Sequence, residues 1–329
     1  MIAFGRRRCL SLLALAAVAP RGAAQAPARL PTVGILLHWP ETAFTDRLSG
    51  FKAGLRELGL EEGRQLRFEL RSAQGRVADL GRLAQELVDL KVDLIFAPTT
   101  VAAAAAHART REIPIVIAVA ADPVGSGLAA SLARPGGNVT GLTSNNVEIA
   151  PRRLQLLREL AGPQATRAAL LYATNDASNL AALRLAQDAA RRMPLELQAV
   201  GVAGASDLPA AFAAIRAARA EMLMVAAGAV TDSAAARIVE LAAQHRLPAM
   251  YGAPEFVEAG GLVSYSTDFV ASFHAAAGYV ERILKGARPA DLPIEQARKY
   301  LMVFNARTAQ ALGLAVPASL RMQIDRVIE

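Results

Sequence analysis

The stretch IPIVIAVAADPVGSGLAASLARPGGNVTGLT, residues 113–143, indicates the fold more directly than any other part of the chain. Its apolar run 115–119 is flanked by prolines and runs into Asp122, which is typical of a strand buried in a parallel sheet. Glycines and a further proline then interrupt the chain before an extended run starts at Val139. Ligands in open α/β sheets bind beyond the carboxyl ends of the strands. The stretch therefore predicts a small-molecule site beside a passage between two lobes.

Two rounds of strand followed by helix surround this stretch. Apolar runs predict strands, and apolar residues spaced three and four apart predict helices. The first round predicts strands at 32–37, 66–70, 92–97 and 115–119, with helices at 44–58, 80–90 and 101–108. The second predicts strands at 168–172, 195–200, 222–226 and 249–251, with helices at 154–160, 180–191, 210–219 and 234–244. Each round therefore predicts a parallel sheet covered by helices on both faces.

The tail predicts four more elements. These are a strand at 262–266, a long helix at 268–286, an extended segment at 300–304 and a closing helix that carries Leu320, Ile324 and Val327. A chain of two separate lobes joined end to end does not explain a tail of this kind.

Several segments resemble one known family. They are Asp122-Pro123-Val124-Gly125, LARPGGNVTG at 132–141, FKAGLRELG at 51–59 and EFVEAGGLVSY at 255–265. The chain after about residue 31 resembles the bacterial ABC-transporter substrate-binding proteins of the tryptophan-binding-like group, which have the type I periplasmic binding protein fold. These motifs are specific for the family and say little about the ligand.

The resemblance implies an α/β architecture of two Rossmann-like lobes with parallel sheets and three interlobe crossovers. We expect the crossings at 143–146, 265–268 and 292–296. The first lobe would comprise 30–144 plus 267–294, and the second 145–266 plus 295–329. Helix 268–286 would then pack on the first lobe and the C-terminal helix on the second.

The first 24 residues predict a cleaved export signal. Arg6–Arg8 precede the apolar run 9–19, which is too short to span a bilayer, and small residues follow at 22–24. General secretion and the twin-arginine route both fit. We therefore expect a periplasmic protein, cleaved near Ala24. Cys9 is the only cysteine, so the mature chain would lack disulfides, thiol nucleophiles and zinc thiolates.

The charge distribution argues against nucleic-acid binding. The net charge of +7 includes four arginines within the first 24 residues, which hold no acidic residue. Without those four the net charge falls to +3, and no basic run with interleaved aromatic residues remains. We therefore predict no nucleic-acid partner.

Catalytic and metal-binding motifs are absent from the sequence. It has no Gly-x-Ser-x-Gly elbow, no phosphate-binding loop and no Gly-x-Gly-x-x-Gly after the first strand. The four histidines are far apart, and none has a second ligand at helical spacing. We therefore predict a protein that is not an enzyme and that needs no cofactor or metal.

Candidate ligand-binding residues follow the predicted strands of the first lobe. Trp39, the only tryptophan, would either stack on a ligand or pack against a loop. Thr99 and Thr100 begin a helix, where hydroxyls and free amides suit a carboxylate, although an ordinary N-cap fits equally. Asp122 would hold a ligand ammonium or form a turn before Pro123, and the turn is slightly favoured.

The second lobe offers a further set of candidates. Tyr172, Asn175 and Asn179 end or follow a strand, and turn chemistry alone explains the asparagine at 175 but not the tyrosine. Asp232 begins a helix, where a capping role is favoured over ligand contact. Glu255 follows the next strand. Tyr265 lies at a predicted crossing and would serve the hinge or the ligand.

These features predict a solute-binding protein that closes two lobes on a small molecule and delivers it to an ABC permease in the inner membrane. The resemblance implies that the ligand is an amino acid or a related small carboxylate, with an aromatic one among the options. We expect a monomer. A secreted α/β enzyme and a ligand-sensing module of a signalling system are the alternatives.

Overall fold

Two mostly parallel sheets form the framework of the protein in a computed structural model that describes Met1 and residues 29–329. Apart from Met1, the predicted export signal at 1–24, including Cys9, lies outside the described residues. The predicted α/β class with two sheets and three passages between them is confirmed.

The first sheet has six strands in the order β11-β5-β4-β3-β1-β2, and all its pairs are parallel. The bounds of its strands are β1 Thr32–Leu37, β2 Arg67–Ser72, β3 Leu94–Phe96, β4 Ile115–Ala120, β5 Val139–Thr143 and β11 Glu295–Gln296. The inner strands are almost wholly buried, as expected when helices cover both faces of a sheet.

The second sheet has seven strands in the order β13-β12-β10-β9-β8-β6-β7. Their bounds are β6 Arg167–Ala173, β7 Glu196–Val202, β8 Met222–Val225, β9 Ala249–Tyr251, β10 Val263–Thr267, β12 Tyr300–Asn305 and β13 Arg326–Ile328. Among the described residues of this sheet, β10–β12 is the only antiparallel pair.

Twelve α-helices of the described residues cover these sheets. They are α1 Thr45–Glu57, α2 Leu80–Asp89, α3 Thr100–Arg109, α4 Ala150–Ala161, α5 Ala177–Ala190, α6 Leu208–Ala217, α7 Ala229–Ser233, α8 Ala235–Gln244, α9 Glu255–Glu258, α10 Phe269–Leu284, α11 Ala306–Leu312 and α12 Ala318–Arg321. Helices α1, α2, α3 and α10 pack with the first sheet, and the others with the second. We call each sheet with its helices the first and the second lobe.

Helices α1 and α10 pack closely and fix the side of the first lobe that faces the site. Gly54 permits this contact, because a Cβ there would lie 2.5 Å from the carbonyl oxygen of His274. Phe51 stacks on Phe96 with ring centroids 4.0 Å apart, and Phe273 meets Phe96 edge to face at 5.4 Å. These aromatic contacts hold both helices on β3.

The chain passes between the lobes three times, after β5, after β10 and after β11. The first two passages lie where the sequence predicted them. The third lies at 297–299 rather than at 292–296, because Glu295 and Gln296 still pair with β5 of the first sheet.

Arg153 of α4 ties the passages together from inside the protein. The buried guanidinium donates hydrogen bonds to the carbonyl oxygen of Tyr265 (2.6 Å), to Oδ1 of Asn146 (2.6 Å) and to the carbonyl oxygen of Gly252 (3.3 Å). Burial lowers the pKa of Arg153 to about 10, so its charge persists at neutral pH. One side chain therefore anchors the first passage, strand β10 just before the second passage, and the end of β9.

The C-terminal helix predicted over Leu320, Ile324 and Val327 is wrong. Helix α12 ends at Arg321, and β13 then pairs with β12 in parallel. The backbone N–H of Met302 donates to Oδ2 of Asp325 (2.8 Å) at this junction. The helical spacing of apolar residues misled the prediction, because an open edge of β12 offered strand pairing instead.

Candidate functional site

A cavity lies between the two lobes, where strands of both sheets end. Its empty space, counted together with the solvent at its open mouth, is about 680 Å³. The first lobe lines it with His38, Trp39, Phe44, Arg47, Thr99, Thr100, Val101, Val119, Ala121 and Phe269, and the second with Asp176, Ser178, Ala227, Gly228, Ala229, Asp232, Ala253 and Glu255; Asn146 of the first passage completes the wall.

Five of the ten predicted site residues line this cavity. They are Trp39, Thr99, Thr100, Asp232 and Glu255. Each follows the carboxyl end of a central strand, which is where the α/β rule places ligand contacts.

The start of α3 forms the base of the first-lobe wall. Thr99 is the N-cap residue, and its side chain makes no capping hydrogen bond. Its hydroxyl lies 3.2 Å from Nδ1 of His38 instead. The hydroxyl of Thr100 accepts a hydrogen bond from the backbone N–H of Ala121 (3.0 Å). The first-turn amides of a helix have no acceptor within the helix, so they and the helix dipole favour an anion at this end of the cavity.

His38 and Trp39 form an aromatic side of the cavity with Phe44. The His38 ring lies 5.6 Å from the Trp39 ring and 5.7 Å from the Phe44 ring, centroid to centroid. Burial, assisted by the charge of Arg47, lowers the pKa of His38 to about 4. His38 is therefore neutral around pH 7 and acts as a hydrogen-bonding group rather than a cation.

The carboxylate of Asp176 lies beside Gly228, in the loop after β8. Oδ1 of Asp176 caps α5 by accepting from the backbone N–H groups of Ser178 (2.9 Å) and Asn179 (3.3 Å). A Cβ at Gly228 would lie 2.9 Å from Oδ2 of Asp176. Glycine therefore allows the loop after β8 to approach this carboxylate.

Asp232 is the most perturbed acid of the site. Its Oδ1 is buried and has no hydrogen-bond partner within the described residues. Burial raises the pKa of Asp232 to about 7, with a further upward contribution from Asp176; a backbone hydrogen bond from Gly228 and the charge of Arg47 oppose the shift. An acid poised in this way near neutrality is typical of a functional position.

Arg47 and Glu255 form an ion pair across the cleft, from α1 of the first lobe to the start of α9 in the second. The guanidinium carbon lies 4.6 Å from the ring centroid of Phe269 and 5.1 Å from that of Phe44. Only 15% of the Arg47 side chain and 22% of the Glu255 side chain are exposed. Glu255 thus faces the cavity, but its charge is already neutralised.

Two predicted residues form turns or loop contacts outside the cavity. Asp122 accepts a hydrogen bond from the backbone N–H of Gly125 (2.7 Å), so it fills the turn role that its sequence context favoured. Asn179 is buried; its Oδ1 accepts from the backbone N–H of Ala173 (2.9 Å), and its Nδ2 donates to the carbonyl oxygen of Ala227 (2.8 Å). Asn179 braces two loops of the cavity wall without lining it.

Three further predicted residues also lie away from the lining. Tyr172 packs against the apolar cluster between the second sheet and helices α4 and α5. Asn175 is exposed in the loop after β6. Tyr265 stacks on Tyr300 with centroids 5.8 Å apart, and its carbonyl oxygen accepts from Arg153, so it serves the passages between the lobes.

The sequence prediction missed Phe44, Arg47 and Phe269. Asp176 belongs to the polar loop after Tyr172 that the sequence places at the cleft, although Asn175 and Asn179 were chosen from it; its position before α5 matches an N-cap. The other three lie on or beside helices α1 and α10. No strand-end signal marks them, because the contact of two helices brings them to the cavity.

A two-lobed α/β protein with a cavity between lobes that the chain joins three times has the architecture of a solute-binding receptor. The chain belongs to the ABC transporter substrate binding protein family, whose model matches residues 33–328. The resemblance inferred from the sequence motifs and the predicted role as the substrate-binding protein of an ABC transporter are therefore confirmed.

Similar proteins agree with this assignment. The chain is 26% identical over 265 residues to a tyrosine-binding protein of Clostridioides difficile (strain R20291), covering 80% of this chain and 76% of that protein. The ABC domain of Streptococcus pneumonia in complex with L-Trp matches with a TM-score of 0.84 at 24% identity, over 91% of this chain and 100% of that one. A conserved domain protein from Vibrio cholerae matches with a TM-score of 0.83 at 26% identity, again over 91% and 100%. The first two are described by what they bind rather than by a reaction.

Membrane-spanning helices and metal-binding clusters are both absent from the described residues. None of the helices in that part of the chain is long and apolar enough to cross a membrane. Within the same residues, no three His, Cys, Asp or Glu side chains are grouped so that they would hold a metal ion.

Proposed function

We propose that this protein binds an L-amino acid between its lobes and delivers it to an ABC permease from the periplasm. The observation that carries this proposal is the Oδ1 atom of Asp232, which has no hydrogen-bond partner among the described residues. Asp232 lies in the second-lobe wall of the cavity, and the start of α3 lines the first-lobe wall of the same cavity. One end of the cavity suits a cation and the other suits an anion, as an amino acid zwitterion requires.

The ammonium end is assigned to Asp232. A ligand –NH₃⁺ would give Oδ1 the donor that it lacks, and a charge-assisted hydrogen bond of this kind is stronger than a neutral one. The carboxylate of Asp176 borders the same part of the wall, so a ligand cation would also reduce the repulsion between the two acids.

The carboxylate end is assigned to Thr99, Thr100 and the first-turn amides of α3. Arg47 is not needed there, because Glu255 already neutralises its charge. The hydroxyl of Thr100 keeps a proton to donate, since it accepts its hydrogen bond from Ala121. The hydroxyl of Thr99 is free to donate in the His38 tautomer that carries its proton on Nδ1.

The side chain of the ligand would face an aromatic wall. Trp39, Phe44 and Phe269 line the cavity, and aromatic rings favour a ring or an aliphatic chain. An aromatic amino acid fits this wall, and the relatives described as binding tyrosine and tryptophan support the choice.

Hinge closure follows from this distribution of contacts. The two ends of the ligand would be held by different lobes, so both sets of contacts exist together only when the lobes are closed. The lobes would have the bounds predicted from the sequence, 30–144 plus 267–294 and 145–266 plus 295–329, except that residues 295–296 go to the first lobe because they pair with β5. An export signal at 1–24 and a monomeric mature protein complete the proposal.

Calorimetric titration of the purified mature protein tests the proposal. The panel is L-tyrosine, L-tryptophan, L-phenylalanine and L-leucine, together with the N-acetyl and the amide derivative of each. We expect micromolar binding of at least one amino acid, about −8 kcal/mol, and loss of binding for both of its derivatives. Equal affinity for an amino acid and its N-acetyl form would refute the assignment of the ammonium site.

A further inference from the structure

The ion pair of Arg47 and Glu255 spans the cleft at the boundary of the ligand cavity. Arg47 belongs to α1 and Glu255 to α9, and the residues are joined only through the passages between the lobes. Separation of the lobes would break this pair and return both charges to water. The pair is therefore a property of the closed form.

Arg47 is held by a ring of its own lobe as well as by Glu255. Its guanidinium lies over the ring of Phe44, which is buried in the first-lobe core, and over the ring of Phe269, which begins α10 and packs against the second-lobe cluster. Stacking of this kind fixes a planar cation in one orientation. Arg47 therefore loses little rotamer entropy when it pairs with Glu255. A large loss of rotamer entropy is one main reason why ion pairs at surfaces contribute little to stability.

The same residues separate the cavity from a second depression between the lobes. This outer trough is lined by Thr42, Asp46, Glu258, Asp268, Asp325 and Arg326. Arg47, Glu255 and Phe269 line both the cavity and the trough. They form the wall between the two, so a ligand that enters on this side must part the ion pair.

We propose that the Arg47–Glu255 pair is a latch that holds the protein closed before ligand binds, so that its opening limits ligand exchange. The proposal rests on the proposed function for its ligand, but the latch itself exists without one. It makes Arg47 and Glu255 positioning residues for closure.

A closed unliganded state has a defined kinetic signature. If the latch stabilises the empty and the filled closed forms equally, its removal raises the association and the dissociation rate constants by the same factor, and the affinity hardly changes. If the empty protein were open, removal would raise only the dissociation rate constant and would weaken binding by that factor.

The test compares Glu255→Gln and Arg47→Met with Glu240→Gln. The control removes the same charge away from the cleft, where Glu240 pairs with Arg237 of the same helix (2.6 Å). Stopped-flow fluorescence of Trp39 with L-tyrosine gives the rate constants. We expect both to rise roughly tenfold in each latch variant, with Kd within about threefold of the wild type in Glu255→Gln and the control unchanged. Arg47→Met also removes a charge that acts on Asp232, so only its rate constants are compared.

Small-angle scattering of the ligand-free proteins tests the latch without any ligand. We expect a larger radius of gyration for Glu255→Gln and Arg47→Met than for the wild type and Glu240→Gln. Equal radii for all four proteins would overturn the proposal, and so would an unchanged association rate constant in the latch variants. Failure of the wild type to bind any amino acid would contradict the proposed function instead, while the scattering result would still decide on the latch.

Discussion

The binding of an amino acid should depend on pH through Asp232. Burial raises the pKa of this acid to about 7 in the unliganded protein, and a ligand ammonium beside it would lower that pKa. Below pH 7 the acid must therefore release a proton when the ligand binds. The affinity should rise with pH through this window and level off once Asp232 is ionised.

The size of the effect follows from the pKa. A shift of one pKa unit corresponds to about 1.4 kcal/mol, so the association constant gains up to tenfold for each pH unit below 7. Between pH 5 and pH 7 the gain is roughly fiftyfold, since the acid is half ionised at its pKa. His38 does not contribute to this window, because its pKa is lowered to about 4. The charges of Arg47, Arg153 and Asp176 face Asp232. They set the pH at which the affinity levels off, but they leave the slope of affinity against pH unchanged.

Calorimetry at pH 6 in buffers of different ionisation enthalpy measures the proton release directly. We expect close to one proton released for each ligand bound in the wild type and none in Asp232→Asn, which should also bind much more weakly. An affinity of the wild type that is constant from pH 5 to pH 7 would refute the reasoning. A slope that persists in Asp232→Asn would assign the proton to another group.

The stability of the unliganded protein should show the opposite dependence. An acid whose pKa is raised on folding stabilises the folded state fully below its ordinary pKa of 3.8, and this contribution is lost as the pH rises to about 7. Asp232→Asn abolishes that loss. At pH 7.5 we therefore expect the variant to melt at a higher temperature than the wild type without ligand, even though it binds ligand less well.

Three more outcomes follow from the structure. Alanine at both Thr99 and Thr100 should raise Kd at least tenfold, since a hydrogen bond to a charged group contributes about 1.5–3 kcal/mol; unchanged Kd by calorimetry would remove both from the site. The fluorescence of Trp39 should change on ligand binding, and a ligand that raises the melting temperature without altering the emission would place the indole outside the contact. Arg153→Met should lower the free energy of unfolding by about 3 kcal/mol, because it leaves several buried carbonyl groups unpaired. The matched change at exposed Arg152 should cost little in denaturant unfolding, and equal losses would contradict the anchoring role.

The part of the fold that the sequence predicted is the part with strong local periodicity. Buried runs such as Ile115–Ala120 and the strand-to-helix junction at Thr100 were legible because each strand end is marked by polar or turn-forming residues. The tail was harder to interpret. The spacing of Leu320 and Val327 matched a helix, whereas pairing with an open strand edge prevailed.

The candidate site was predictable in its strand ends but not in its helix contacts. Thr99 and Asp232 follow central strands, so the α/β rule located them. Arg47 and Phe269 are more than 200 positions apart in the sequence, and only the packing of α1 on α10 brings them together. Tyr172 failed as a site residue because side chains alternate along a strand and its own points into the apolar cluster under the sheet.

A crystal structure of the protein grown with its best-binding amino acid gives the most direct test. We expect the ligand nitrogen about 2.8 Å from a carboxylate oxygen of Asp232, with the ligand carboxylate on the hydroxyls and amides at the start of α3. A ligand bound with its nitrogen away from Asp232, or seated outside the cavity between the lobes, would contradict the account.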